Sequence, residues 1–599
     1  MAKGAAARLQ AVRALMAQRG YHALLVPRAD EFLGEYIPAR NERLHWLTGF
    51  TGSAGMAVVL AESAAMFVDG RYTVQVRREV TAELFSYHHL IDEPALDWLC
   101  AQLPSGTTVA CDPRLHHYQW FEQATQQLTD AGITLEADAD NLIDACWTDR
   151  PAAEVSRALL HDAAFTGESA QSKRQRIAQD VAWRGCDAAL IFALDSVSWL
   201  LNVRGTDMPQ LPVLSAAALL LANGDLQLFC DPQVLPEGFA AHVGAGVSVH
   251  AARCLGECAS ALSGGKVLVD PLTANAWTHQ VLLAVGVTIV AGTDPVILPK
   301  ACKNAVELRG AANAHRRDAV AVVRFLAWLD GEVAAGRLHD EAVLAEHLLQ
   351  LRARGEYFHA SSFDTISAAG ANAALCHYNH CNVTTPAVLP MNSVYLCDSG
   401  AQYYDGTTDI TRTVAIGDPG AEVCRLFTLV LQGHIALARA RFPAGTTGRQ
   451  LDALARQFLW RAGFDYDHGT GHGVGSFLSV HEGPQRIAKA AADVALQPGM
   501  IVSNEPGYYR DGAFGMRCEN LVVVRECEQA GVESPMLEFH TLSTVPFDVR
   551  LLEAALLGRA ELDWLNTYHA RVWEEVSPLL ATEDREWLRQ ATRPLPVAG

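Results

Sequence analysis

Val394-Tyr395-Leu396-Cys397-Asp398-Ser399-Gly400-Ala401-Gln402-Tyr403, followed by Asp405-Gly406-Thr407-Thr408-Asp409-Ile410-Thr411-Arg412-Thr413, is the stretch that decides the fold. Both flanks are rich in β-branched and apolar residues, and Asp405-Gly406 is a hairpin signal. The spacing predicts two antiparallel strands, Val394 to Tyr403 and Thr408 to Ile416, each carrying one aspartate beside apolar neighbours. Two carboxylates in such a setting are costly unless something positive lies between them.

Three further segments share this texture. His472 lies in the glycine-rich run Gly469-Thr470-Gly471-His472-Gly473-Val474-Gly475, read as a loop, with His468 before it and His481 after it. Glu505 follows the apolar strand Met500 to Ser503, and Glu519 enters the strand Asn520 to Val524. Four carboxylates and one imidazole suit a pair of hard divalent cations such as Mn²⁺. Two such ions roughly 3.5–4 Å apart would activate a bridging water as a nucleophile. Each residue alone has a plain structural reading, and only the five together point to metal. From Cys376-His377-Tyr378-Asn379-His380-Cys381 only His377 is kept as a site candidate. His250, Cys254 and Cys258 have helical spacing but no evident fourth zinc ligand. Walker, α/β-hydrolase, His-Glu-x-x-His and Cys-x-x-Cys signatures are absent.

Working outward, helices are expected over Asn304 to Leu329, Ala421 to Arg439 and Gln450 to Ala462, the last closed by Gly463. Helices and strands in separate blocks make this region α+β. Upstream, Arg19-Gly20-Tyr21-His22-Ala23-Leu24-Leu25-Val26 resembles Arg184-Gly185-Cys186-Asp187-Ala188-Ala189-Leu190-Ile191, and Trp46-Leu47 recurs as Trp199-Leu200. The copies lie roughly 150–165 residues apart, which suggests a duplicated α/β domain. The expected boundaries are 1–150, 151–299, 300–546 and a helical, aromatic tail at 547–599, read as a packing or dimer element.

The 599 residues leave room for about three to five domains. Half are hydrophobic and 19% charged, so a buried core is expected. A formal charge of −20 without a basic block disfavours nucleic acid and anionic lipid as partners. No uninterrupted apolar run approaches the ~18 residues of a membrane span, and Ala5 to Gln18 reads as a short amphipathic helix rather than a signal peptide. The 14 scattered cysteines read as reduced thiols, so a cytoplasmic location is expected.

These motifs resemble the M24 metallopeptidases. The resemblance rests on Asp398 to Tyr403, Asp405 to Thr413, His468 to Gly475, Val480-His481-Glu482-Gly483-Pro484, Glu505-Pro506-Gly507-Tyr508-Tyr509 and Arg517-Cys518-Glu519-Asn520. Tyr36 with Gly49 to Gly55, Asp69-Gly70-Arg71-Tyr72, and Trp199 to Gly205 extend it to the three-domain Xaa-Pro aminopeptidase branch. It implies two creatinase-like N-terminal domains, a pita-bread catalytic domain, a short C-terminal extension and a homodimer. It implies two divalent cations, expected to be Mn²⁺: Asp398 on one, His472 and Glu505 on the other, Asp409 and Glu519 bridging. It implies that Glu505 deprotonates the bridging water and that His377 and His481 contact substrate and steady the oxyanion. His468 would line the proline side, and Arg517 would stand behind Glu519. The implied reaction is hydrolysis of the first peptide bond of peptides with proline at position 2. The alternatives are a dipeptide-only prolidase, a metal-free creatinase-type amidinohydrolase and a catalytically inactive pita-bread module. Two departures, Asn379-His380-Cys381 after His377-Tyr378 and Asn504 where an acid is common, are expected to change substrate preference rather than remove activity.

Overall fold

A computed structural model describes residues 2–153, 156–528, 531 and 533–596. The chain divides into two compact units, residues 1–162 with 168–297, and residues 163–167 with 298–599.

The first unit holds two six-stranded mixed sheets. In the first, Ala23–Pro27 is central; it pairs antiparallel with Met56–Leu60, which pairs antiparallel with Ala64–Val68, and it runs parallel to Thr108–Cys111. In the second, Ala188–Ile191 takes the same central place between Ala217–Leu221, antiparallel, and Lys266–Val269, parallel. The strand order and directions match throughout the two sheets, so the weak sequence repeat marks one topology used twice. The helix Ala2–Arg19 includes the expected N-terminal segment and buries Leu9, Val12 and Met16 at helical spacing.

The second unit begins with the long helix Ala305–Ala334, whose start is set by Asn304: its side chain accepts from the amides of Val306 and Glu307, and Glu307 answers with a bond from the Asn304 amide. Val323, Phe325, Leu326 and Leu329 are buried as the stripe predicts, and Val320 packs at the margin. The helices Ala421–Ala438 and Gly448–Arg461 follow; Gly463 sits just past the latter with φ +82°. The expected tail forms Arg559–Val576 and Thr582–Ala591, whose Leu565, Tyr568, Val572, Val576 and Leu588 join the same core as the long helix.

Four readings need correction. The first strand is interrupted at Gly400, between Ser393–Ser399 and Ala401–Tyr403, and the residue there must be glycine, because a Cβ at 400 would lie 2.0 Å from the Thr408 carbonyl oxygen. The hairpin turn is Tyr404-Asp405 rather than Asp405-Gly406, since Tyr403 pairs with Gly406 and Gln402 with Thr407. Gly406 is needed for close packing: a Cβ there would stand 3.0 Å from Ala311 Cα of the long helix. His472 lies on a short strand, Gly471–Gly473, not in a loop. Last, Ala421–Ala438, although interrupted by Glu422 and Arg425, is long and apolar enough by length and composition to cross a membrane; 67% of it is buried, as Val430, Leu431 and Ile435 pack into the core.

Candidate metal centre

Two sheets carry the acidic residues. Ser393–Ser399 pairs antiparallel with Ile410–Ile416, setting Asp398 opposite Thr411, with Asp409 one residue before its strand. In the six-stranded sheet, Gly471–Gly473 lies between Ile501–Asn504 and Glu482–Ile487, and Asn520–Glu526 pairs with Ile501–Asn504. Glu505 therefore leaves the end of one strand where Glu519 enters its partner. The glycines beside His472 have a packing cause: a Cβ at 471 would meet the Ser503 carbonyl oxygen at 2.0 Å, and one at 473 the Glu482 carbonyl oxygen at 2.4 Å. Only bare backbone lets the three strands close on the imidazole.

One ligand atom each from Asp409, His472 and Glu519 lies within 4.8 Å of the others, and all three residues are buried. His472 Nδ1–H donates to the Gly473 carbonyl oxygen at 2.8 Å, which turns Nε2 toward the acids. Nε2 is 3.4 Å from Asp409 Oδ2 and 3.4 Å from Glu505 Oε1. Ser503 Oγ donates to Glu505 Oε1 at 3.1 Å and accepts from the His472 amide at 2.9 Å, so one hydroxyl sets both residues. Thr411 Oγ1 donates to Glu519 Oε2 at 2.6 Å.

Asp398 is held by Arg517, whose Nη2 donates to its Oδ2. The other Arg517 donors go to Thr411 Oγ1 (3.1 Å), the Cys376 carbonyl oxygen (3.3 Å) and the Tyr509 hydroxyl. Arg517 is buried and committed on every side. Its carboxylate hydrogen-bond partner is thus Asp398, and it stands behind Glu519 through Thr411, which accepts from Arg517 Nε and donates to Glu519. His468 Nδ1–H donates to the Gly469 carbonyl oxygen, and its Nε2 meets the Tyr509 hydroxyl at 2.8 Å. His481 sets its ring edge-on to His472, with centroids 4.4 Å apart. His377 is half-buried directly after Cys376, whose carbonyl Arg517 holds.

Crowding shows in the proton affinities. Burial pushes Asp398 up to about 6, helped by Asp409 and Glu505 and opposed by Arg517. Burial drives Glu519 well above the usual carboxylate range, reinforced by Asp409, Asp398 and Glu505. Burial works against charging His472, but its hydrogen bond to Asp409 and the charges of Glu505 and Asp409 outweigh this and lift it to about 9. Asp398 Oδ1 is buried without any hydrogen-bond partner. An orphaned carboxylate oxygen, like charges raising one another's pKa and an all-oxygen set with one imidazole fit divalent cations. Among the described residues His250, Cys254 and Cys258 form no such group.

Sequence reasoning missed the supports behind these residues. Glu341, fully buried, accepts from the Ala369 amide (2.8 Å), Asn372 Nδ2 (2.9 Å), the Tyr378 hydroxyl (2.7 Å) and the Ala387 amide (2.9 Å), and so pins the segment that carries His377. Lys300 Nζ donates to Glu482 Oε1 at 2.9 Å and Lys303 Nζ to Oε2, anchoring the residue after His481 in the interior. Asn504 Nδ2 donates to the His434 carbonyl oxygen at 2.9 Å, away from the acids. Asn379-His380-Cys381 forms part of a short 3₁₀ turn capped by Asn379.

Family models match along the chain. Residues 8–146 and 149–307 each match the creatinase/prolidase N-terminal domain, 309–526 metallopeptidase family M24, and 535–595 the C-terminal region of peptidase M24. A probable Xaa-Pro aminopeptidase P of Tuber melanosporum is 38% identical over 620 residues, covering 98% of this chain and 99% of the relative. Aminopeptidase P1 of Arabidopsis thaliana is 35% identical, covering 99% of each. The solved X-prolyl aminopeptidase of Caenorhabditis elegans, described as a cytosolic enzyme with a di-nuclear active site, superposes with a TM-score of 0.94 at 34% identity, over 99% of this chain and 100% of that one.

Proposed function

We propose the following reaction for this chain, which belongs to the Xaa-Pro aminopeptidase branch of metallopeptidase family M24: hydrolysis of the first peptide bond of peptides with proline as the second residue. The observation that carries it is the buried gathering of Asp409, His472 and Glu519 within 4.8 Å, with Glu505 against the same imidazole. Asp398 would hold one divalent cation, His472 with Glu505 the other, and Asp409 and Glu519 would be shared. When bound, such a pair supplies Lewis acidity and brings the pKa of a water near neutrality.

The chain's own residues do the rest. Glu505 takes the attacking water's proton on the carboxylate oxygen not held by Ser503. His377 and His481 donate to the oxygen on which charge develops. A prolyl amide nitrogen carries no hydrogen, so the bond is recognised by shape, and His468, fixed between Tyr509 and Gly469, lines the side that takes the ring. Arg517 positions Asp398 and the backbone before His377. Manganese is the proposed metal, the cytosol the proposed location and a homodimer the proposed assembly.

The test is hydrolysis of an Xaa-Pro-Yaa tripeptide and an Xaa-Pro dipeptide by the Mn²⁺-supplied protein, before and after Asp409→Ala, with metal content measured alongside. Tripeptide turnover lost in the variant together with metal is expected. Turnover of the dipeptide alone would make the enzyme a prolidase, and a wild-type protein that takes up no metal would make it a binding module.

A further inference from the structure

Behind the metal centre, the second unit contains a cavity of about 340 Å³ lined by Leu326, Arg412, Val414, Phe547, Trp587 and Arg593, with Asp330, Asp548 and Arg550 among its other walls. It lies at the small end of the range for small-molecule sites, roughly 300–1,000 Å³. Its charges do not cancel. Arg550 is matched to Asp330 at 3.0 Å and Asp548 at 2.7 Å. Both acids have further donors, Trp587 Nε1–H to Asp330 and the Ala415 amide to Asp548. Three arginines against two aspartates leave one positive charge in excess, and Arg412 and Arg593 are the two that stand outside the Arg550 cluster. Arg412 is 3% exposed and lies over the Phe547 ring at 4.1 Å, yet all its hydrogen bonds go to neutral groups: Pro546, Thr411, Glu519 and Val545 carbonyl oxygens, Asn520 Oδ1 and the Tyr568 hydroxyl. Among the described residues, neither guanidinium has an ion pair. A buried cation without a counter-charge is costly, and here it borders a cavity with an aromatic wall and a free arginine at its edge.

We propose that this cavity is a second ligand site, for a small aromatic carboxylate. The carboxylate pairs with Arg593 and offsets the charge of Arg412, while the ring packs against Trp587 and Val414. Two lining residues reach the metal centre directly. Arg412 Nη1 donates to the Glu519 carbonyl oxygen at 2.6 Å, and Thr413 Oγ1 donates to the Arg517 carbonyl oxygen at 2.9 Å while accepting from its amide at 3.0 Å. Occupancy is thereby coupled to the strand that presents Glu519. The site rests on the cavity and its charges alone, and its binding readout needs no peptide turnover.

The test uses the full-length, metal-loaded protein with 2-naphthoate as probe, followed by tryptophan fluorescence and calorimetry. Saturable one-to-one binding is expected, undisturbed by saturating Xaa-Pro-Yaa peptide and at least about ten-fold tighter than for neutral 2-naphthamide, the size of one charge-assisted contact. Arg593→Gln, at an exposed position, should weaken it about ten-fold, and Ala591→Trp, which fills the cavity from the end of the last helix, should abolish it. Occupancy should change kcat by about five-fold or more, an effect on the chemical step that need not alter peptide affinity. Absence of saturable binding, displacement by peptide, or indifference to both variants would overturn the site. Binding that leaves kcat unchanged would overturn the link through Arg412.

Discussion

His434 offers a quantitative test of how the scaffold behind the metal centre is built. It is fully buried on the helix Ala421–Ala438. Its Nδ1–H donates to the Asn504 carbonyl oxygen at 3.0 Å, and its Nε2 accepts from Asn520 Nδ2 at 3.3 Å. These are the residues next to Glu505 and Glu519. Burial, then the charge of Arg412, lowers its pKa to about 3, against about 6.5 in an unfolded chain. Above pH 6.5 the imidazole is neutral in both states and contributes no pH dependence. Below it, the unfolded chain takes up a proton that the folded one refuses until about pH 3, so stability falls as pH falls. At about 1.4 kcal/mol per pH unit, the cost is roughly 2 kcal/mol at pH 5 and about 5 kcal/mol at pH 3. His434→Gln removes this term while losing hydrogen-bond quality, at about 1–3 kcal/mol near neutrality. Urea unfolding of chelator-treated wild type and variant, compared between pH 7.5 and pH 5, should show the gap between them shrinking by about 2 kcal/mol. A constant or widening gap would refute the assignment of a neutral, Nδ1-protonated His434.

Two further outcomes follow from the same geometry. Glu341→Gln turns an amide donor toward four groups that donate to Glu341; it should cost about 1–3 kcal/mol in thermal or urea unfolding and lower kcat, through His377, with metal content unchanged. Because Asp398 carries its proton up to about pH 6 and Glu519 higher in the metal-free centre, binding of Mn²⁺ must expel protons. Because His472 also holds a proton up to about pH 9, affinity should fall as pH drops from about 9 through 6, and calorimetry in buffers of different ionisation enthalpy should detect proton release; a pH-independent affinity would contradict the crowded-carboxylate reading.

The acids and imidazole that the structure gathers, Asp409, His472 and Glu519, stand out in the sequence because each sits against an apolar strand or a glycine, local patterns that a short window contains. The long helix was legible for the same reason: Asn304 and Glu307 are three residues apart and write its start. The errors arose where the deciding contact is distant. Gly400, where the strand is interrupted, must lack a side chain because Thr408 and Ser362 occupy the space of its Cβ, and Gly406 is a packing glycine against Ala311 rather than a turn glycine. His472 looked like a loop residue because glycines usually mark loops, whereas here they admit neighbouring strands. The Arg517 to Asp398 contact spans 119 residues and no periodicity encodes it. Glu341 reads as an ordinary first-turn acid of the helix Glu341–Arg352 until its four donors are in place.

The departure at Asn504 belongs with these distant contacts. Its side chain is fully buried and donates to the His434 carbonyl oxygen, while its own carbonyl accepts from His434 Nδ1. An aspartate there would set a carboxylate against that carbonyl oxygen, a repulsive contact in the interior. Its charge would also favour the imidazolium of His434, and a proton on Nε2 would face the donor Asn520 Nδ2. The layer thus stays neutral around one cation, Arg412, whose bonds run to Thr411, Glu519 and Asn520. Four carboxylates are gathered in front of that layer. With Arg517 paired to Asp398 and His472 set against Asp409 and Glu505, a fifth acid at 504 would compete for the cations proposed to offset the remaining acidic charge. Asn504 therefore acts on the charge balance of the acidic group from behind, without replacing any of the five proposed ligands.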